Sequence, residues 1–151
     1  MSDIIKAEET DLQEILQLQK LAFLSEAEMI GSTDIPALKQ TYDDIMSDYR
    51  RGLFLKACNA TGKIIGSIRA FETDDCIDVG KLMVHPDFRR QGLASKLLYE
   101  IEKYYPDKRL ELYTCTKSLC NISLYESVGY KRFKVTHGTG ELDFVYLEKH
   151  T

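Results

Sequence analysis

A loop able to hold an anion lies in the middle of the chain. Along Leu82-Met83-Val84-His85-Pro86-Asp87-Phe88-Arg89-Arg90-Gln91-Gly92-Leu93-Ala94-Ser95 a strand-like run meets a proline, passes two arginines and opens onto a helix-like run. Gly92 and Ala94 put little side-chain bulk at the first turn, so an anion can approach the main chain closely. Free N–H groups and the positive helix end favour a phosphate or pyrophosphate there. Arg89 and Arg90 add fixed positive charge with planar donor geometry. The same residues equally fit a small-residue helix start packed on a strand, with solvated arginines. No G-x-x-x-x-G-K-S/T and no G-x-G-x-x-G occurs, so the loop is neither a Walker loop nor a dinucleotide fingerprint.

Other chemistry-bearing residues are sparse. Cys58, Cys76, Cys115 and Cys120 form no C-x-x-C pair, and His85, His137 and His150 are scattered. No metal site is expected, because structural zinc wants tighter ligand spacing. The cysteines read as small core residues. His85, before a proline, reads as a loop residue, and Cys115 as packing without a local His partner.

These residues must be positioned by one domain, spanning 1–151. A chain of 151 residues, 44% hydrophobic and 29% charged, is ordinary for a globular protein and too apolar for disorder. It can bury roughly two-thirds of its unfolded surface and needs neither disulfides nor a metal to fold. A net charge of −4 speaks against a nucleic-acid partner, and no apolar run is long enough for a membrane span. Met1–Asp3 opens no signal peptide, so a cytoplasmic location is the expectation.

After a short apolar start at Ile4–Ile5, Thr10-Asp11-Leu12-Gln13 fits a capping box. The helix it opens carries Leu12, Ile15, Leu16, Ala22 and Phe23, with Leu18 and Leu21 widening the stripe. A second helix is expected from Ile35 to Arg51, with Pro36 in its first turn, Leu38, Tyr42, Ile45, Met46 and Tyr49 on one face, and Gly52 ending it. The period then changes to two. Strands are expected at Leu53–Cys58, Lys63–Glu72 and Cys76–Val84, joined by tight turns into an antiparallel meander. A helix over Gly92–Tyr105, a strand over Arg109–Cys115 and a short helix over Ser118–Val128 follow. Strands Tyr130–Val135 and Glu141–Glu148, joined through His137-Gly138-Thr139-Gly140, complete an α+β (loosely α/β) layered domain with one strand–helix–strand crossover.

Arg89-x-x-Gly92-x-Ala94 resembles the Gln/Arg-x-x-Gly-x-Gly/Ala signature of the GNAT superfamily of N-acetyltransferases. Leu82-Met83-Val84-His85-Pro86 is similar to the strand that precedes it in that family. Asn121-Ile122-Ser123-Leu124-Tyr125-Glu126-Ser127-Val128-Gly129-Tyr130 resembles its second signature, a short helix bearing L-Y-E-x-x-G-F/Y. The order of elements matches over essentially the whole chain. The resemblance implies a mixed, largely antiparallel twisted sheet flanked by helices. Acetyl-CoA would be the cosubstrate, in a V-shaped opening between the strands at Cys76–Val84 and Arg109–Cys115.

By the same resemblance the pyrophosphate rests on N–H groups of Arg90, Gln91, Gly92, Leu93, Ala94 and Ser95, beside Arg89. The pantetheine pairs with the main chain of Leu82, Met83 and Val84 like an added strand. Tyr125 takes the catalytic position: the departing CoA sulfur needs a proton, and a phenol with a pKa of about 10 still holds one at neutral pH. Its alternative is a core or rim tyrosine beside Ile122 and Val128. The family often has Asn seven residues before this Tyr and a small residue four before; Ser118 and Asn121 stand there. Asn121 bonds the cofactor, caps the helix or faces solvent.

The incoming amine must be neutral, so a general base or a proton-carrying water chain is needed. The resemblance makes Asp78 the candidate carboxylate, with Glu72 at the end of the neighbouring strand, and each equally reads as a solvated edge charge. Strict alternation puts Asp78 on the face of Leu82 and Val84; a bulge, which Gly80 permits, flips that parity. The acceptor is expected to be a small-molecule or peptide amine, met by the first two helices and last two strands. Glu26, Glu28 and Asp34 form an acidic rim there, suited to a cation or simply solvated. A non-catalytic acyl-CoA-binding or sensor domain is the alternative function. Family habit suggests a homodimer, and Phe144-Val145-Tyr146-Leu147 suits either pairing with a second copy or a covered core strand.

Overall fold

The period-two segments pair with their chain neighbours first. In a computed structural model describing residues 3–32, 34–138, 140 and 142–151, β2 (Leu53–Cys58), β3 (Ile64–Glu72) and β4 (Ile77–Val84) form the expected antiparallel meander. Its first turn is fastened by Asn59, whose Oδ1 accepts from the Thr61 N–H, Thr61 Oγ1 and the Lys63 N–H. β1 (Asp3–Lys6) adds antiparallel to β2. After α5 (Leu93–Glu102), β5 (Arg109–Cys115) enters parallel to β4. Then α6 (Leu119–Ser127) leads to β6 (Lys131–His137) and β7 (Asp143–His150), and β7 inserts between β5 and β6.

The seven strands lie in the order β1-β2-β3-β4-β5-β7-β6. Six neighbouring pairs hold this sheet together, and one is nearly open. β4 and β5 are in register only at Ile77 with Leu110 and Asp78 with Glu111. Beyond those rungs the two strands run on to Val84 and Cys115 without pairing each other. A wedge is left between two facing strand edges.

Helices cover both sides. On one face Leu93, Leu97, Leu98 and Ile101 of α5, with Ile122 and Tyr125 of α6, pack on Leu55, Ile68, Ile77, Val79, Leu110 and Leu112. On the other, α1 (Leu12–Ala22) and α4 (Tyr42–Arg51) pack Leu12, Ile15, Leu16, Ile45 and Met46 against Phe54, Ile64 and Met83.

Local chemistry changes several sequence expectations. Thr10 does not cap α1. A 3-10 turn at Glu9–Asp11 precedes the helix, and Asp11 instead accepts from the Glu8 N–H and pairs with Lys56. Leu21 is exposed rather than part of the buried stripe. The segment after Phe23 is helical, giving α2 (Leu24–Ile30). The expected long second helix is two pieces, α3 (Pro36–Lys39) and α4, because Gln40 is extended and Thr41 starts afresh. There Thr41 Oγ1 accepts from the Asp44 N–H while Asp44 accepts from the Thr41 N–H, a complete capping box. Tyr42, expected on the buried face, is exposed.

Gly52 ends α4 in extended backbone, not a left-handed cap. Its smallness is needed because a Cβ there would collide with the Phe71 ring and the Ala70 carbonyl. Among the cysteines only Cys115 is buried; Cys120 is exposed, while Cys58 and Cys76 are partly covered. β7 is paired on both edges, so Phe144–Leu147 forms a covered strand and has no free edge for a second copy. Two expectations lie outside the described residues: the strand start at Glu141 and the turn position Thr139. Among the described residues no helix is long and apolar enough to cross a membrane.

Candidate active site

The wedge is shaped by one extra residue. Between the Ser67–Met83 and Arg69–Gly80 pairs, β4 advances three residues while β3 advances two. This bulge at Lys81–Leu82 flips the side-chain parity. Ile77 and Val79 face the α5 and α6 core, and so do Leu82 and Val84 after the bulge, whereas Met83 turns to the α1 and α4 core. Asp78 therefore lies on the face opposite Leu82 and Val84, the outcome that Gly80 permits. The unpaired β4 edge from Val79 onward leaves main-chain groups free to bond an extended ligand.

At the end of β4 the chain is steered into the loop by His85. Its N–H donates to the Ile65 carbonyl at 2.8 Å, and its Nδ1 accepts from the Asp87 N–H at 3.1 Å. The ring meets Phe88 edge-on, so His85 is a loop-forming residue. Arg90 and Gly92 both sit in the left-handed region, at φ 63° and 78°. For arginine this conformation is uncommon and costly, and Asp107, in the turn after α5, is the other non-glycine residue described with it. A Cβ at Gly92 would meet nothing within 4 Å, so its glycine serves the backbone angle and leaves open space above the turn.

Gly92 caps α5 without a side-chain hydrogen bond, and no acid occupies the first turn. The N–H groups of Leu93, Ala94 and Ser95 precede the first intrahelical bond, Lys96 N–H to the Gly92 carbonyl. With those of Arg90 and Gln91 they supply a run of main-chain donors at a positive helix end. Arg90 and Gln91 are exposed beside it. Arg89 differs from expectation: its guanidinium bonds the Ala22 carbonyl at 2.8 Å and Ser25 Oγ at 3.2 Å.

The short helix α6 carries Tyr125. The ring is buried in the α5 and α6 core and packs edge-on against Tyr130 at 6.2 Å. The chain turn at Gly129 closes with the Tyr130 N–H donating to the Tyr125 carbonyl at 3.0 Å. The Tyr125 hydroxyl has no hydrogen-bond partner among the described side chains. Burial, reinforced by the charge of Glu26, pushes its pKa far above that of a free phenol. It holds its proton at every physiological pH. One turn earlier, Asn121 Nδ2 donates to Thr114 Oγ1 at 3.4 Å, a weak tie to β5.

The opposite face carries carboxylates. Asp78 and Glu111 are register partners where β4 and β5 part. Glu111 is matched by Arg109 at 3.4 Å and accepts from Cys76 Sγ at 3.1 Å. Asp78 has no cation within ion-pair distance among the described residues. Burial, with the charge of Glu111 next, raises its pKa above the ordinary carboxylate range, against the pull of Arg69 and Arg51. Glu72, the other expected base, pairs loosely with Lys108 at 3.9 Å on the exposed strand end.

Of three further features on this face, the sequence reading had named only the first, Glu26, as part of an acidic rim. Glu26 of α2 is half-buried, its pKa raised by burial, and its charge reaches both Tyr125 and Tyr113. An aromatic wall continues over β5 and β7, where Tyr113 meets Phe144 at 5.7 Å and Tyr146 at 5.2 Å. Finally, Gln40 gathers a polar network at the break between α3 and α4. Its Oε1 accepts from Gln19 Nε2 at 2.8 Å and Lys81 Nζ at 2.9 Å, and its Nε2 donates to Asp48 at 2.6 Å. Asp48 also pairs with Arg69. Burial and the nearby Arg69 charge push the Lys81 pKa down to about 8. Period-two spacing of Arg109, Glu111 and Tyr113 was the one visible signal for part of this wall.

A model of the acetyltransferase (GNAT) family matches residues 12–130. The chain is 31% identical over 126 residues to the UPF0157 protein YqkA of Bacillus subtilis (strain 168). That stretch is 83% of the chain and 36% of YqkA, so the chain spans about a third of that relative's length. The fold superposes on the ribosomal-protein-S18-alanine N-acetyltransferase from Escherichia coli with a TM-score of 0.80 at 21% identity, covering 98% of this chain and 92% of that one. It also superposes on the PaiA N-acetyltransferase from Thermoplasma acidophilum, solved in complex with coenzyme A, with a TM-score of 0.80 at 18% identity, covering 100% and 99%. Because the family match runs through both unpaired strands and the helices that flank them, the chain belongs to the GNAT family of acetyltransferases.

Proposed function

We propose that this protein transfers the acetyl group of acetyl-CoA to a primary amine of a small molecule or peptide, by direct attack in a ternary complex. The observation that carries the reading is the pair of unpaired strand edges that leads to an uncapped α5. Those two features fit the two parts of CoA separately. The β4 edge at Leu82, Met83 and Val84 suits the amides of pantetheine, and the N–H row from Arg90 to Ser95 suits a pyrophosphate. Acetyl-CoA supplies an activated thioester; the chain supplies position and proton traffic. The structures of relatives with CoA support the cosubstrate at the level of the family.

Asp78 and Tyr125 flank the opening from opposite faces of the sheet. Asp78 takes the proton from the acceptor amine through its carboxylate, directly or through one water, since only a neutral nitrogen attacks. Tyr125 donates its phenolic proton to the sulfur that departs. Burial equips each for its part: it makes Asp78 a stronger base than an exposed aspartate and keeps Tyr125 protonated. Tyr130 holds the Tyr125 ring at a fixed tilt.

Thermal denaturation with acetyl-CoA, CoA and ATP tests the reading. At 100 times its dissociation constant a one-site ligand adds about 2.7 kcal/mol, which raises the midpoint by roughly 5–10 °C for this size. A rise with both CoA species and none with ATP is expected, followed by amine-dependent thiol release. No rise at millimolar CoA would remove the basis of the proposal.

A further inference from the structure

Arg89 belongs by sequence to the phosphate loop, yet its side chain serves another element. Nη2 donates to the carbonyl of Ala22, the last residue of α1, and Nη1 donates to Ser25 Oγ in the first turn of α2. Ser25 Oγ donates to the same Ala22 carbonyl at 3.2 Å, closing a three-point clasp. That carbonyl is one that α1 leaves without an intrahelical partner, and a cation there complements the negative helix end. Glu26, whose charge reaches Tyr113 and Tyr125, is the next residue along. In the other direction, the Arg89 main chain continues into the left-handed Arg90 and the uncapped start of α5.

We infer that Arg89 is a positioning residue that couples the two halves of the site: filling the phosphate turn steadies the joint between α1 and α2, and so places Glu26 at the acceptor side of the wedge. The inference rests on the acetyl-CoA reading above. The coupling is reciprocal, so whatever steadies α2 also tightens CoA. A phosphate-binding arginine would behave differently, because its loss would weaken CoA while leaving α2 unchanged.

Hydrogen exchange over residues 24–30, with and without CoA, separates these roles when measured on the wild type, Arg89→Gln and Arg89→Lys. In the wild type, saturating CoA slows exchange of α2 by about fivefold or more. In Arg89→Gln, α2 exchanges fast in both states, CoA affinity changes by less than about threefold, and the acceptor KM rises by about tenfold. Arg89→Lys recovers part of the protection, since one of the two bonds can reform. Should Arg89→Gln not fold, Ser25→Ala removes one clasp contact and lowers the CoA-dependent protection in the same direction.

Equal protection of α2 in wild type and Arg89→Gln overturns the inference. So does a loss of CoA affinity of about tenfold or more with α2 protection intact, which assigns Arg89 to the phosphate. A wild type that CoA stabilises thermally without slowing α2 overturns the coupling and leaves the acetyl-CoA reading standing. A wild type with no thermal response to CoA overturns both.

Discussion

The two sides of the wedge are built from different materials. The side formed by β4, the loop and α5 offers main-chain groups: a free strand edge, two left-handed residues and an uncapped helix start. The other side, formed by α2, β3, the start of β4, β5, α6 and β7, offers side chains: Glu26, Arg69, Asp78, Tyr113, Tyr125 and Tyr146. A main-chain site tolerates most substitutions that preserve its backbone angles. A side-chain site changes with every residue, and so can be retuned for a new amine while the cosubstrate is kept. The family match, which ends at residue 130, stops short of β6 and β7.

The contrast can be broken at the side-chain pole first. Tyr125→Phe should lower turnover by on the order of 10³-fold with CoA affinity unchanged in equilibrium titration. An unaltered rate would remove the phenol from the reaction. Asp78→Asn should lower kcat/KM by on the order of 10²-fold at neutral pH. Because the Asp78 pKa is raised, wild-type activity should fall as pH drops through a value above the ordinary carboxylate range, and the variant should lose that limb. The sign for stability is opposite. A carboxylate with a raised native pKa binds its proton more tightly when folded, so its stabilising contribution is present at low pH and lost as pH rises through that value. Asp78→Asn should therefore melt higher than wild type at neutral pH, even as it turns over more slowly.

At the main-chain pole the decisive change is to a backbone angle. Gly92→Ala forces a Cβ into the left-handed region at a cost of about 1–2 kcal/mol, and CoA affinity should fall by roughly tenfold. Calorimetric titration reads this directly, and retained affinity would show that the turn can be reached another way. The smallest effect belongs to Gln91→Ala, which removes an exposed side chain beside the donor row but no donor. CoA affinity should change by less than about threefold. A larger loss would mean that this side of the wedge also reads its ligand through side chains.

Much of this division was visible in the sequence. Alternating apolar residues and compact turns announced β2, β3 and β4, and Gly92 with Ala94 announced a helix start open to an anion. The parity of Asp78 was legible as a condition on Gly80, and the bulge resolved it. What escaped was chemistry between distant residues. Nothing local says that Arg89 spans 67 residues to an α1 carbonyl, or that Gln40 breaks a helix to join Gln19, Lys81 and Asp48. The helical α2 was hidden because its residues carry no clear buried stripe; only Ala27 is fully covered. Tyr113 and Tyr146 were ordinary strand aromatics until β7 was seen to lie beside β5.

That placement of β7 also sets when the site can exist. β5 shares two rungs with β4 but is paired along its whole length with β7, from Arg109 opposite His150 to Cys115 opposite Phe144. One wall of the wedge is thus secured by a strand that follows β1 to β6 in the chain. A folding chain can assemble the meander and α5 early, since their contacts are close in sequence, while the second wall must wait for partners 29 to 41 residues further on. The wedge should then close abruptly, when β7 docks between β5 and β6, rather than grow with the meander.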